Sequence, residues 1–309
     1  MKQAKFIVRA SALAALLSVL AQLSSHHLIF DLIANFRVQY LIGGVVLLVL
    51  SLITRSYLST VIAIAILAVH GTEVAQSLYG KRNVIASDNT VIRVMSSNLL
   101  ASNTAFESYI KQITALDPDL IVFQEYTPAW HSALVRLTGR YPYQIAKPLN
   151  SPFGIAMYSK LPLVELAMPP VNTTPPEINA TLSASGTEIR VLGVHTKPPI
   201  SNALYNDRNK HLQNLANYAR PISEPLLILG DLNTTPWSTH FKKFMDFGNL
   251  YDARRGFGVK PTWPNPISPL QIPIDHIIVN QSIDVVSLDT VSVNGSDHKA
   301  LWADIRLRD

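Results

Sequence analysis

Residues that can bind a metal or move a proton recur at the ends of apolar runs in this chain. Asn98 directly follows the run Val91–Ser97, and Glu125 directly follows Leu-Ile-Val-Phe-Gln. His195 ends Ile-Arg-Val-Leu-Gly-Val, and Asp231 and Asn233 follow Leu-Leu-Ile-Leu-Gly. Asp275 lies at the start of Ile-Asp-His-Ile-Ile-Val, and Asp297 with His298 precede the last apolar run, Ala300–Leu307. All are hard oxygen or imidazole donors, and strand ends gathered at one mouth would collect them into a site for a metal ion and a phosphate. An oxygen-rich set of this kind suits Mg²⁺ or Mn²⁺, whereas zinc prefers more imidazole. The chain has no cysteine, which excludes disulfides, thiolate metal sites and a thiol nucleophile.

Taken singly, each residue has an ordinary explanation. Asn98 could form a turn, Glu125 before Tyr126-Thr-Pro could be a solvated loop acid, and Asp231 with Asn233 could be an Asx turn leading to Pro236. His195 could be a satisfied polar group beside Thr196-Lys-Pro-Pro, and Asp297-His298 could cap a strand. Their joint occurrence is what argues for a site. His276 alternates to the opposite strand face from Asp275 and reads as structural. Tyr158 reads more readily as strand packing, Arg208 as a solvated helix charge and Trp263 as a wedge in a Pro-rich loop than as substrate contacts. His26 and His27 read as a solvated pair at a membrane interface.

The elements that must position these residues fill the last 220 or so positions. Strand patterns fall at Val91–Ser97, Leu120–Gln124, Gly154–Tyr158, Asn179–Ser183, Ile189–His195, Leu226–Leu229, Ile274–Val279 and Ala300–Leu307. Helical spacing occupies Thr104–Leu116, Pro128–Leu137, Ala203–Ala219 and Ser238–Phe247, with Thr127 as an N-cap before Pro128. Strands and helices mix without strict alternation, which predicts an α/β or α+β domain with mixed sheets.

The first quarter is different. Charge-free runs span Ala10–Phe30, Val38–Thr54 and Ser56–Thr72, each near the roughly 17 to 25 residues that a helix needs to cross a bilayer. The expected organisation is therefore a transmembrane region of about three helices over 1–73, a linker over 74–90 and a globular domain over 91–309. A signal peptide ending near residue 25 is the competing reading, but no clean A-x-A site follows. Lys2, Lys5, Arg9 and Arg55 favour a cytoplasmic N-terminus and an extracytoplasmic domain, with Lys81 and Arg82 counting against it. The mean hydropathy of +0.19 with only 15% charged residues excludes disorder as the dominant state. The net charge of +5 lies wholly in residues 1–82, which hold seven Lys/Arg and two acids, while 83–309 hold nineteen of each. The globular part thus has no overall pull on a polyanion, although a local basic groove remains open.

The succession Ser-Ser-Asn98-Leu, Pro-Asp-Leu-Ile-Val-Phe-Gln-Glu125, Gly154-Ile-Ala-Met-Tyr-Ser-Lys, Gly-Val-His195, Gly230-Asp231-Leu-Asn233, Pro261-Thr-Trp263-Pro, Ile-Asp275-His-Ile and Ser296-Asp297-His298 resembles the endonuclease/exonuclease/phosphatase superfamily over residues 91–309. The resemblance implies a four-layer sandwich of two mixed β-sheets flanked by helices, a divalent metal and phosphoester cleavage. With the three spans, it extends to bacterial membrane-anchored members. By this resemblance Glu125 binds the metal, with Asn98 and Asp297 helping to hold the ion or its waters. Asp231 and Asn233 orient the attacking water and a phosphate oxygen. Asp275 fixes the imidazole of His298, which is a candidate base or phosphate contact, and either Asp231 or His298 takes the proton. His195 resembles the second histidine of the deoxyribonuclease I and sphingomyelinase branches, placed to protonate or stabilise the leaving oxygen. The expected activity is a Mg²⁺-dependent phosphodiesterase on nucleic acid or phospholipid headgroups at a membrane. The alternatives are an inositide-type phosphomonoesterase and an inactive membrane-anchored scaffold.

Overall fold

The computed structural model describes residues 2–80, 90–167 and 175–308. The N-terminal part forms α1 (Lys2–Gln22), α2 (Leu28–Ala34), α3 (Arg37–Ile53) and α4 (Tyr57–Leu78). α1 and α4 are long and apolar enough to cross a membrane, and α2 with α3 makes a third span only if the pair, bent by 63°, counts as one. The first charge-free run is therefore not one helix. Its C-terminal third leaves α1 at Gln22 and re-forms as the short α2, whose Leu28 follows a cap by the His27 imidazole. α4 continues through Leu78, into the segment expected as a linker, and residues 81–89 of that segment lie outside the described residues.

Ser11 Oγ lies 3.1 Å from Ser59 Oγ, and Ser18 Oγ bonds His70 Nε2, so α1 and α4 run side by side and parallel, with α3 returning antiparallel against α4. Ile7, Leu47, Ala63 and Ile66 are buried between these helices, together with Ser11, Ser51 and Ser59. Val45, Val49, Val61 and Ile64 are exposed on the outside. Polar atoms inside and aliphatic side chains outside is the arrangement that lipid rather than water favours.

The remaining strands are β1 (Ile92–Asn98), β2 (Leu120–Gln124), β3 (Tyr143–Lys147), β4 (Ile155–Ser159), β5 (Leu163–Leu166), β6 (Ile178–Ala184), β7 (Thr187–His195), β8 (Leu226–Asp231), β9 (Tyr251–Asp252), β10 (Asp275–Val279), β11 (Ile283–Ser292) and β12 (Lys299–Leu307). One six-stranded sheet has the order β11-β12-β1-β2-β4-β3, and the other β5-β6-β7-β8-β10-β9. Their inner faces meet through Val94, Val122 and Met157 on one side and Val191, Leu229 and Ile277 on the other. Helices α5 (Phe106–Leu116) and α6 (Pro128–Leu134) cover the outer face of the first sheet, where Tyr109 and Trp130 pack on Met95 and Phe123. Helices α7 (Asn202–Ala219) and α8 (Thr239–Gly248) cover the second, where Leu212 and Phe244 pack with Val194 and Ile228. The four-layer α/β sandwich is as expected.

The pairing pattern positions the site. Each sheet has one parallel pair, β1 with β2 and β7 with β8, so Asn98 and Gln124 end side by side, as do His195 and Asp231. β10 runs antiparallel to β8 with Asp275 opposite Asp231, and β12 runs antiparallel to β1, so both begin where their partners end. Every candidate residue therefore reaches one rim.

Gly154 marks a tight spot behind that rim. A Cβ there would lie 1.9 Å from the Tyr126 carbonyl oxygen, and the Gly154 carbonyl accepts the Tyr126 N–H at 2.9 Å. Backbone cannot give way as a flexible side chain can. Gly154→Ala is therefore expected to cost about 3 kcal/mol or more, read as a lower urea midpoint at unchanged m.

Candidate active site

The sequence places Glu125 directly after β2, and the backbone turns there with φ of +56°, a left-handed conformation that a non-glycine residue adopts only when its surroundings impose it. The surroundings do so. Ala101 N–H donates to Glu125 Oε2 at 2.8 Å and Asn98 Nδ2 donates to Oε1 at 3.2 Å. The same Nδ2 reaches Asp231 Oδ2 at 3.2 Å, joining the ends of the two sheets, while Asn98 Oδ1 accepts Leu100 N–H at 3.1 Å.

Asp231 is the centre of the arrangement. Its Oδ2 lies 3.7 Å from His195 Nε2 and 3.8 Å from His298 Nε2, and its Oδ1 accepts the Asn233 N–H at 2.8 Å. Asn233 also has a left-handed φ, +47°, and its Nδ2 donates to the Thr196 carbonyl at 2.9 Å. His298 Nδ1 bonds Asp275 Oδ2 at 2.9 Å, and its backbone N–H donates to Ser296 Oγ at 3.0 Å. Asp275 is in turn held through its N–H by Thr262 Oγ1 at 3.2 Å. Asp297 Oδ2 accepts the Trp263 Nε1–H at 2.9 Å, while its Oδ1 is buried without a hydrogen-bond partner among the described residues.

Burial and charge set the protonation states. Burial, reinforced by the neighbouring Asp275 carboxylate, pushes the Asp231 carboxyl up to about 8. Burial works against the charge on His298, but the ion pair with Asp275 and the nearby Asp231 and Asp297 outweigh it and raise the imidazole to about 10. His195, buried and beside the His298 cation, is lowered to about 4. The two imidazoles flanking Asp231 thus differ at neutral pH, His298 charged and His195 neutral. Asp231, Asp275 and His298 offer ligand-type atoms within 4.8 Å of one another, a group that could hold a metal ion. In this group the His298–Asp275 hydrogen bond is already made, leaving His298 Nε2 to face the Asp231 carboxylate, which Asn98 and the Asn233 N–H hold.

All eight candidates, Asn98, Glu125, His195, Asp231, Asn233, Asp275, Asp297 and His298, reach this rim. His276 points away and is structural: its Nε2–H donates to the Thr234 carbonyl at 2.9 Å and its Nδ1 accepts from Arg254 at 3.0 Å. Tyr158 is buried under α6, its hydroxyl 2.6 Å from that of Tyr126. Trp263 acts on Asp297 through its indole N–H. Arg208 is not a solvated charge, being fully buried with Nη1 donating to the Asn233 carbonyl at 2.9 Å. Ser296 escaped singling out although its Oγ joins Asn98 O, at 2.9 Å, to the His298 backbone; a short polar residue two before a candidate histidine was the available signal.

A two-sheet sandwich with carboxylates, amides and imidazoles at the ends of its central strands defines a phosphoesterase fold. The model of the Endonuclease/Exonuclease/phosphatase family matches residues 95–298. The chain belongs to this family, whose members are hydrolases acting on phosphoesters. Among solved structures, a humanised D. rerio TDP2 bearing 14 mutations superposes with a TM-score of 0.57 at 14% identity, over 70% of this chain and 99% of that one. The human Nocturnin catalytic domain with bound sulfate anion gives 0.55 at 23% identity, over 71% and 95%. Sphingomyelinase C from Streptomyces griseocarneus gives 0.52 at 19% identity, over 70% and 99%. These likenesses are of fold. No curated protein sequence matches the chain.

Proposed function

We propose that the protein is a membrane-anchored, divalent-cation-dependent phosphodiesterase whose catalytic domain, 91–309, faces the extracytoplasmic side. The observation that carries this reading is the Asp231 carboxylate set between a charged and a neutral imidazole, at 3.8 and 3.7 Å. A carboxyl raised toward neutrality is suited to take a proton from water at physiological pH, whereas an imidazole already protonated is not. Asp231 is therefore the base, oriented by the Asn233 N–H. His298, held by Asp275, donates to a phosphate oxygen and balances its charge. The neutral His195 offers its Nε2–H to the leaving oxygen, and Phe153, with its ring centroid 5.9 Å away, shields it from water. Asn233 retains a second amide N–H for a phosphate oxygen.

Glu125, Asn98 and Asp297 would hold the cation, Mg²⁺ or Mn²⁺. The fit rests on the donor set, hard oxygens throughout, and on the unpartnered Asp297 Oδ1. When bound, the cation supplies positive charge to the phosphoryl oxygens. The domain's charge balance and its apolar helices favour a phosphoester near lipid headgroups, or nucleic acid bound in a local groove. Arg9 and Arg55 lie at the end of the helical bundle away from the domain, which supports the proposed orientation.

The test is hydrolysis of bis(p-nitrophenyl) phosphate against p-nitrophenyl phosphate by the full chain in detergent, with Mg²⁺ and with chelator, beside His298→Ala. Chelator-sensitive diester cleavage lost in the variant is expected. Turnover confined to the monoester would replace the reading with a phosphatase, and turnover of neither at millimolar Mg²⁺ would favour a scaffold. A reporter fused after Asp309 that is active only in the cytoplasm would overturn the orientation.

The pH profile has a definite sign. Asp231 acts deprotonated, so its raised pKa moves the acid limb of kcat/KM up to about 8. His298 acts protonated, so its raised pKa moves the alkaline limb up to about 10. Asp275 raises both. Asp275→Asn should therefore move both limbs of the measured profile to lower pH, by about one unit or more.

A further inference from the structure

The helical region meets the catalytic domain at several points, among them Gln39 of α3 and Glu73 and Ser77 of α4, and the contact made by α2 is polar and buried rather than a loose rest of one part on another. Asp31, in α2, is fully buried, with Oδ2 accepting from Arg208 Nη2 at 2.8 Å and Oδ1 accepting from Ser238 Oγ at 2.8 Å. Asn35, just after α2, takes two more bonds from the same catalytic segment. Its Oδ1 accepts from Thr235 Oγ1 at 2.8 Å and its carbonyl accepts from Trp237 Nε1 at 3.1 Å. Four bonds from two residues thus reach the chain that runs from Asp231 into α8, directly or through Arg208.

Arg208 is what gives this contact a catalytic meaning. Its fork divides among three partners, Nη2 to Asp31 at 2.8 Å, Nη1 to the Asn233 carbonyl at 2.9 Å, and Nε with Nη2 to Asn209 Oδ1 at 3.0 and 2.7 Å, so Asp31 and Asn209 fix the face from which Nη1 reaches Asn233. Asn233 stands in a left-handed conformation that costs free energy and persists only while it is held. Its N–H is held by Asp231, its amide by Thr196 and its carbonyl by Arg208. Arg208 is fully buried, and removing the carboxylate that pairs with a buried guanidinium leaves its charge uncompensated and its placement no longer fixed by that pair.

We infer that Arg208 is a positioning residue for Asn233, and that Asp31 of the N-terminal helical region completes the active site by holding it. The inference rests on the proposed function of the site. The helical region is on this account more than an anchor: it supplies one side of the scaffold on which the water-orienting loop is built. Arg208→Lys separates the two roles, because an ammonium on a single stem can keep the pair with Asp31 but cannot also present a fixed second donor to the Asn233 carbonyl.

The experiment compares wild type, Arg208→Lys and Asp31→Asn as full chains in lipid nanodiscs, by diester kinetics and by amide hydrogen exchange. Both variants should lower kcat about tenfold or more at unchanged KM. Exchange over residues 231–238 should rise about tenfold, while exchange over β1 stays as in wild type. Any fall in Tm in either variant should come with wild-type protection in β1, so that the loss of kcat tracks the local opening of 231–238 rather than general unfolding. Unchanged exchange over 231–238 in both variants overturns the inference, as does a kcat loss matched by a general loss of protection. If wild type turns over no diester, the proposed function fails, and the exchange data still decide whether Asp31 and Arg208 hold the loop.

Discussion

Asp231→Asn is expected to lower kcat for diester hydrolysis by about 10³-fold, within the range that a positioned base contributes, while KM stays within about threefold. The shape of the side chain is kept, and its one oxygen can still accept the Asn233 N–H, while the amide nitrogen takes the place of the oxygen that Asn98 bonds. What disappears is the ability to accept a proton. Retention of a tenth of the activity would remove Asp231 from the role of base. The same substitution carries a second expectation of opposite sign. A buried carboxyl whose folded pKa is raised binds a proton more readily in the folded than in the unfolded state, so stability declines as pH rises from the ordinary carboxylate range to about 8. Asparagine has no such dependence. The Tm of the variant relative to wild type should therefore rise between pH 4 and pH 8. A higher Tm with a crippled kcat would mark Asp231 as a place where stability is given up for chemistry.

Glu125→Ala is expected to have the next largest effect. Glu125 is bonded by Asn98 Nδ2 at 3.2 Å and by the Ala101 N–H at 2.8 Å, and it is a carboxylate proposed to hold the cation. Its loss should raise the Mg²⁺ concentration needed for half-maximal rate by about 100-fold or more and lower the saturated rate as well. A Mg²⁺ titration of the initial rate reads both. Turnover that is as chelator-sensitive as wild type with an unshifted Mg²⁺ requirement would move the cation to another part of the site, and Asp231, Asp275 and His298 would be the group to test next.

The centre of the fold was legible in the sequence and its edges were not. All eight strands read from apolar patterning are present within a residue or two, and the four that were missed, β3, β5, β9 and β11, are the outermost strands of the two sheets. Edge strands are half exposed, so their residues need not alternate cleanly or cluster. β11 shows the effect most clearly, because its register shifts between Val285 and Ser287 and the side-chain alternation is interrupted there. The candidate residues were legible for a related reason: each lies at or just beyond the end of a central strand, flanked on both sides in its sheet, where a polar side chain after an apolar run is conspicuous.

What could not be read is how those residues are held. Arg208 looked like a solvated helix charge because its partner, Asp31, lies 177 positions earlier in an apolar stretch. Periodicity speaks only of neighbours along the chain. The break after Gln22 was hidden in the same way, since a charge-free run of 21 residues has the composition of one span whether or not it is one helix. Protonation states were out of reach as well. The choice between Asp231 and His298 turns on burial and on the distance to Asp275, quantities that exist only once the two sheets have met.

The separation of Asp31 from Arg208 also sets an order of events in the making of the molecule. At roughly 5 to 20 residues per second, the ribosome needs about 10 to 35 s to add the residues between them. For that interval α2 has been made but its buried carboxylate has no arginine to meet. The N-terminal helical region is synthesised first and finished last, and the final turn of its assembly waits for α7 to emerge. A nascent chain halted before Arg208 would therefore expose an acidic, incompletely seated helix, a recognisable mark of an unfinished copy.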